Sequence, residues 1–379
     1  MKKQLLNILQ KILAGLARMS LKKSDVDIIG ITGSYGKSST REAVFQVLKL
    51  KYKNQVKESS GNLNNEIGLP LVVLGYNKNI RWWYWPWVIL MSLIKVSFSH
   101  PLKNTKVLVL EYAADKPGDI KYLTSIAKPK IAVITKIGFA HTQNFGSLDN
   151  VAKEKTKLVE VLMENNYAIL NQDDPFSEKI KNSTKAKVIS FNDKGLDTSK
   201  EIAKLIGRLY GVDVKKSEEV LNTIKPLKGR LNIISGEKES RVIDDTYNSN
   251  PSSCILALDF LSRQSGRKIA VLGDMLELGL VEIEGHKKIS NKAKEVSDLF
   301  IAVGQRFKDT GSDYWFSDPV KAGNFILSKI KKGDIILVKG SQAMRLEKVV
   351  EIIMREKSIM SELLVRQEPA WKKKQFKQE

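Results

Sequence analysis

The most constraining stretch of this chain is residues 28–41, IIGITGSYGKSSTR, where a β-branched run stops at a glycine turn and a helical pattern takes over. Residues 28–32 read as a buried parallel strand, and residues 40–50 as the helix that follows. Between them stand Gly33, Ser34, Tyr35, Gly36, Lys37, Ser38 and Ser39. Glycines let backbone N–H groups close on phosphate oxygens, and a helix N-terminus adds positive potential. Lys37 would neutralise charge, and the Ser38 hydroxyl would ligate magnesium. The general phosphate-loop pattern has glycine where this chain has Ile31, so a strict search passes over it. The plainer alternative is a glycine turn between a strand and a surface helix. Strand, loop, lysine, hydroxyl and helix in that order favour a nucleotide-phosphate loop, which does not say which reaction uses the nucleotide.

With 379 residues and 42% apolar content, the chain can bury a large core, and two domains are expected. Its single cysteine, Cys254, excludes an internal disulfide and fits a reducing, cytoplasmic compartment. Lysine and arginine number 63 against 42 acids, a formal charge of +21 that favours anionic partners. Neither zinc-type ligand spacing nor an RNA-binding aromatic motif is present, so nucleic acid is not the expected partner.

Residues 1–23 place apolar side chains at helical spacing between lysines, with no cleavage site after them. Such a basic amphipathic helix either lies on an anionic membrane or packs its stripe on the next domain. Residues 81–101 carry Trp82, Trp83, Trp85 and Trp87 ahead of VILMSLI. That run falls short of the roughly 20 residues a bilayer span needs. It suits a membrane interface or a hydrophobic hairpin buried against the protein. Elsewhere strands alternate with helices. VLVLEY (107–112), IAVITKI (131–137), YAIL (167–170) and KVISF (187–191) make one set. RLNIIS, RVIDD, KIAVLGD, LFIAVG and DIILVKG make a second set beyond the turn at 227–230. The expected fold is α/β: a phosphate-loop domain with a mostly parallel sheet, then a second α/β domain. Boundaries are expected at 1–25 for the basic helix, 26–229 for the phosphate-loop domain with its aromatic insert, and 230–379 for the second domain.

Several residues could carry chemistry. Glu111 ends an apolar strand, where an acid holds magnesium opposite a phosphate loop, although strand-end acids are also ordinary turn residues. His141 follows another strand, as a metal ligand or as a satisfied structural histidine. Lys155 lies on a helix soon after, where a solvated lysine is the default. Asn62, Asn64 and Asn65 sit in an asparagine-rich turn and either cap a helix or bind ligand. Asp244 and Asp245 close a strand ahead of Asn250 and Pro251, which read as the cap and first residue of a helix.

Taken in order, ITGSYGKSSTRE, GNLNNEIGLP, the stretch from VLVLEY through VAKEK, LKGRL, VIDDTYNSNPSS, VLGDMLELG and LVKGSQAMRLE resemble the Mur ligases. The match covers residues 27–75, 106–175 and 226–352. Within that family the motifs are most similar to the branch that adds D-alanyl-D-alanine to a muramoyl-tripeptide precursor. The resemblance implies a central phosphate-loop ATPase domain, a carboxyl-terminal Rossmann-like domain, and an ATP- and magnesium-dependent enzyme that phosphorylates a carboxylate and lets an amine attack the acyl phosphate. It implies that Gly33 to Ser39 hold the ATP phosphates, with Lys37, His141 and Lys155 as catalytic residues. Ser38 and Glu111 would hold one magnesium, and His141 with a carbamylated Lys155 a second. Arg230 would reach phosphate, Asp245 the ribose, and Asn62, Asn64 and Asn65 the acceptor. Family members usually carry an amino-terminal domain that grips the UDP-sugar, where about 25 residues precede the phosphate strand here. The adenine-contacting motif is also missing between Phe191 and Leu205. With the aromatic insert, these departures lead to two expectations: a reduced ligase working at the inner face of the membrane, in peripheral contact through 1–23 and 81–101, or a soluble enzyme that uses the insert as a lid or partner surface. The alternatives are a Mur-like ligase with another acceptor, of folate-polyglutamate or cyanophycin type, and a nucleotide-binding scaffold without turnover.

Overall fold

The computed structural model describes residues 2–59, 61, 63–78, 80–99 and 101–373. The chain divides into two compact units, residues 1–138 with 147–224, and residues 139–146 with 225–379.

The first unit opens with α1 (Lys2–Lys22), then β1 (Asp27–Thr32), α2 (Lys37–Tyr52) and β2 (Val56–Glu58). There follow α3 (Gly68–Val73), α4 (Trp85–Ile94), β3 (Val107–Glu111), α5 (Asp119–Ile126) and β4 (Ile131–Ile134). After the short α6 (Thr142–Phe145), which belongs to the other unit, come α7 (Leu148–Glu160), β5 (Tyr167–Asn171), α8 (Ser177–Lys181) and β6 (Lys187–Phe191). The helices α9 (Thr198–Leu209) and α10 (Val214–Thr223) close the unit. All six strands are parallel, in the order β2-β3-β1-β4-β5-β6. One face is cored by Ile29 and Ile31 of β1, Val44 and Val47 of α2, and Ile202 and Ile206 of α9. Strand side chains alternate between faces, and α5 and α7 pack together over the sheet's other face, so strands covered on both sides are apolar nearly throughout.

The second unit holds β7 (Asn232–Ser235), β8 (Arg241–Asp245), α11 (Pro251–Ser262), β9 (Lys268–Gly273) and α12 (Glu282–Val296). It continues through β10 (Leu299–Val303), β11 (Tyr314–Phe316), α13 (Pro319–Lys329), β12 (Ile335–Lys339) and α14 (Glu347–Ile353). The order is β11-β10-β9-β12-β8-β7, parallel except for the antiparallel edge β7. Val242 and Val338 join the core on one face, Ile243 and Leu337 that on the other. Asn250 caps α11 in a reciprocal pair with Ser253, and Pro251 takes the first turn, as the sequence suggests.

Three local expectations change. Residues 135–137, read as the end of a strand, leave the ladder. Thr135 Oγ1 instead donates to Tyr35 O at 2.6 Å, and the Ile137 N–H to Asp174 Oδ2 at 2.7 Å. Residues 85–94 form a helix with Pro86 in its first turn, not a hairpin, and Trp82, Trp83 and Trp87 are exposed rather than buried. Residues 56–58 and 314–316 are strands too short to show a period of their own; neighbours recruit them.

Candidate active site

β1 delivers the loop to the carboxyl edge of the first sheet, and side chains from the β4 exit fix its shape. Ser34 Oγ donates to Gly138 O at 2.7 Å and accepts the Gly138 N–H at 2.9 Å. Gly33 has φ +148°, and a Cβ there would meet Thr135 Oγ1 at 1.9 Å, so only glycine fits. Gly36, at φ +81°, is the N-cap of α2, with no side-chain cap and no acid in the first turn. The positive end of a 16-residue helix is therefore uncancelled by side chains. Lys37 folds back, its Nζ donating to Gly33 O at 2.7 Å. This is the geometry of an anion cradle.

Glu111 ends β3 with 1% exposure, in register with Ile31 of β1. Its Oε1 lies 3.0 Å from Arg41 Nη1, and Asn64 Nδ2 approaches Oε2 at 3.4 Å. Arg41 Nε lies 2.8 Å from Glu58 Oε2 without hydrogen-bond alignment. Burial pushes the Glu58 carboxyl up to about 7, although Arg41 and the other acids also act on it. One buried and one half-buried carboxylate thus share one guanidinium, and among the described residues Glu111 Oε1 has no aligned donor. A buried oxygen of that kind fits a divalent cation. Asn65 Oδ1 accepts the Gly68 N–H at 2.9 Å at the start of α3, which is capping. Asn62 lies outside the described residues.

Lys155 is buried in α7 at 3% exposure. Burial first, and the charge of Lys37 next, push its amine down to about 7, against opposing pulls from Asp115 and Glu154. Glu154 is committed elsewhere, accepting the Gly118 and Ile120 N–H groups at 2.9 and 2.8 Å. The first unit therefore gathers the loop lysine and a second amine, its proton affinity lowered by burial, within electrostatic reach of each other.

His141 belongs to the second unit, in the left-handed region at φ +54°. Its Nδ1 lies 2.6 Å from Glu277 Oε2, and this bond holds the Glu277 carboxyl below its usual range. Thr142 Oγ1 donates to Leu278 O at 2.9 Å, and the Gln143 N–H to Glu277 O at 3.0 Å. His141 and the GDMLELG motif, singled out separately in the sequence, are one arrangement. Asp245 is 6% exposed; its Oδ2 takes Lys339 Nζ at 2.6 Å, and its Oδ1 the Leu231 N–H at 3.3 Å. The Arg230 guanidinium stacks 4.0 Å from the Tyr247 ring centroid. Among the described residues, no group of three or more His, Cys, Asp or Glu is placed to hold a metal.

Sequence reasoning missed Arg41, Glu58, Glu277 and Lys339. Arg41 stands one turn after Lys37, so a phosphate loop followed by an arginine on the same helix was the available signal. Lys136 was missed as well. Its Nζ is 2.5 Å from Asp193 Oδ2 and 5.9 Å from the Tyr35 ring centroid.

Residues 90–234 match the Mur ligase middle domain, and residues 229–342 the Mur ligase, glutamate ligase domain. The UDP-N-acetylmuramoyl-tripeptide–D-alanyl-D-alanine ligase of Buchnera aphidicola is 31% identical over 382 residues, 88% of this chain and 76% of that one. The ligase of the same name from Bacillus subtilis is 29% identical over 383 residues, 89% and 78% of the two chains. The crystal structure of MurF ligase from Thermotoga maritima in complex with ADP superimposes with a TM-score of 0.76 at 27% identity, covering 90% of this chain and 83% of that one. A parallel sheet with a phosphate loop at its carboxyl edge, and these similarities, define an ATP-dependent ligase. The chain belongs to the Mur ligase family.

Proposed function

We propose that this enzyme joins D-alanyl-D-alanine to a muramoyl-tripeptide in the assembly of cell-wall precursors. The observation that carries the reading is the 31% identity, over 88% of the chain, to a ligase named for that reaction. A carboxylate is a poor electrophile, so the substrate carboxylate first attacks the γ-phosphorus of ATP. The P–O bond to ADP breaks and an acyl phosphate forms. The lone pair of the D-alanyl-D-alanine amine then adds to the acyl carbon. The tetrahedral adduct expels phosphate with the C–O electron pair, and the amine proton passes to solvent. Catalysis here is mainly positioning and charge neutralisation.

In this reading the loop from Gly33 to Ser39 holds the phosphates through backbone N–H groups, and Lys37 offsets charge on the β and γ groups. Magnesium, when bound, supplies further neutralisation; Ser38 and Glu111 would hold one ion, and His141 and Lys155 a second. The buried amine of Lys155, pushed down to about 7, supports carbamylation. A neutral amine adds to carbon dioxide, forms an N–C bond and releases a proton, so the buried side chain becomes an anion. Arg230 would approach phosphate, Asp245 the ribose, and Asn62, Asn64 and Asn65 the acceptor. The enzyme would work in the cytoplasm, in peripheral contact with the membrane through residues 1–23 and 81–101. No helix among the described residues is long and apolar enough to cross a bilayer.

The test is ADP release with ATP and magnesium across a panel of acceptors and amines, with the product mass measured. Release that depends on both muramoyl-tripeptide and D-alanyl-D-alanine, with a product heavier by the dipeptide less water, is expected. Turnover with a folate acceptor alone would overturn the reading, as would no turnover with any pair.

A further inference from the structure

The first unit exposes carbon that its own core does not use. The second half of α1 is buried through Leu13, Ala14, Leu16 and Ala17, whereas Leu5 and Ile8 near its start are 62% and 55% exposed. Trp82, Trp87 and Phe98 are 78%, 59% and 87% exposed. α1 packs on α4 and on the π-helical turn Lys95–Ser99, so helix and aromatic segment belong to one surface. Lys23 Nζ, at the end of that surface, donates to Val96 O at 2.9 Å and ties the two together. Indole rings beside short apolar segments and cationic flanks match the boundary between headgroups and acyl chains.

Beside this surface lies a cleft of about 660 Å³. Lys23, Lys103 and Lys106 line it with cationic side chains, Phe98 and Leu102 with apolar ones, and Asp25 is the acid among them. Thr105, also in the lining, is 4% exposed, and its hydroxyl has no hydrogen-bond partner. A buried hydroxyl left unsatisfied costs stability unless a ligand meets it. Cations, an unpartnered hydroxyl and an apolar wall that ends in an exposed phenylalanine suit one chemical object: a phosphodiester with hydrocarbon attached.

We infer that this cleft receives the phosphate of an anionic phospholipid while the tryptophans and Phe98 lie in the same interface. The inference rests on the peripheral contact proposed above and adds a headgroup site to it. The lysines neutralise the phosphodiester, Thr105 donates to one of its oxygens, and the acyl chains run out past Phe98. Attraction of this kind falls as salt rises.

Flotation of the full-length chain with phosphatidylcholine vesicles, and with vesicles containing phosphatidylglycerol, tests it. The wild-type chain should bind both, with a strong, salt-sensitive preference for phosphatidylglycerol. Combining Lys23→Ala, Lys103→Ala and Lys106→Ala should weaken binding to phosphatidylglycerol on the order of 100-fold and leave the phosphatidylcholine level unchanged. Thr105→Val should lower only the anionic preference, by several-fold, with a melting temperature that does not fall. Trp82→Ser combined with Trp87→Ser and Phe98→Ser should abolish binding to both. An undiminished preference in the triple lysine variant would overturn the headgroup site while leaving membrane contact standing. Absence of wild-type binding to either vesicle would overturn the contact itself. Protection of the cleft lysines from acetylation by soluble glycerol phosphate, as strong as that by vesicles, would show a site for free phosphate and also overturn the inference.

Discussion

At the carboxyl edge of the first sheet the chain buries charge, whereas along α1 and residues 82–98 it exposes carbon. Glu111, Arg41 and Lys155 are 1%, 6% and 3% exposed, while Trp82 and Phe98 are 78% and 87% exposed. Each is the reverse of what a core and a surface prefer. Arg41 and Glu111 are held by one another, and Lys155 feels the charge of the loop lysine. The exposed rings are backed by a packed helix and flanked by lysines. Departures from the burial rule thus mark two different tasks, chemistry in one place and attachment in the other.

The sharpest break in this comparison comes from Lys37→Ala, which should lower turnover roughly 1,000-fold, as loss of a charge-stabilising donor does, with the melting temperature unmoved. Unfolding instead would make the loop lysine a structural group. Arg41→Ala should cost about 3–5 kcal/mol in denaturant unfolding, because Glu111 would then be buried, and Glu58 half-buried, without their shared cation. Lys155→Ala should reduce turnover by about 10–100-fold, the range for lost metal-site groups. Partial rescue by short carboxylic acids, read in the ADP-release assay, would support a carboxylate at that place.

The second unit extends the contrast, since it also buries an acid. Asp274 is 1% exposed, and burial raises its carboxyl from 3.8 to about 6. The folded state therefore binds the proton more tightly than the unfolded chain. The stabilisation is full below 3.8 and declines as pH climbs through about 6. In Asp274→Asn the unfolding free energy should lose that downward slope. The smallest effect belongs to the exposed face. Trp87→Ser should change stability in solution by less than about 0.5 kcal/mol, as for surface positions in general. A larger loss by calorimetry would mean that the ring packs on the protein after all.

Local pattern carried much of this. Strands at 187–191 and 241–245 fall where β-branched runs place them, and the start of α11 is written in Asn250, Pro251 and Ser253. Where parallel strands are covered on both faces, as β3 and β4 are, nearly every residue must be apolar and the run is legible. Side-chain partnerships were not legible. Arg41 meets Glu111 from another element, His141 meets Glu277 far along the chain, and Lys339 meets Asp245 only because β12 and β8 pair in register. Nothing in a local window encodes such distances. The asparagines illustrate an ambiguity of chemistry: one amide caps a helix or grips a ligand with the same atoms, and Asn65 is occupied with the first task.

The path of the backbone through residues 139–146 bears on how this protein can be cut. Eight residues leave the first unit right after Gly138 and find their hydrogen bonds at Glu277 and Leu278 before the chain returns at Ser147. A fragment ending at residue 224 would strand that excursion without its anchors, and a fragment beginning at 225 would lack His141. Neither half is a module that recombination could exchange at a single crossover; whatever sequence drift alters one must be answered in the other.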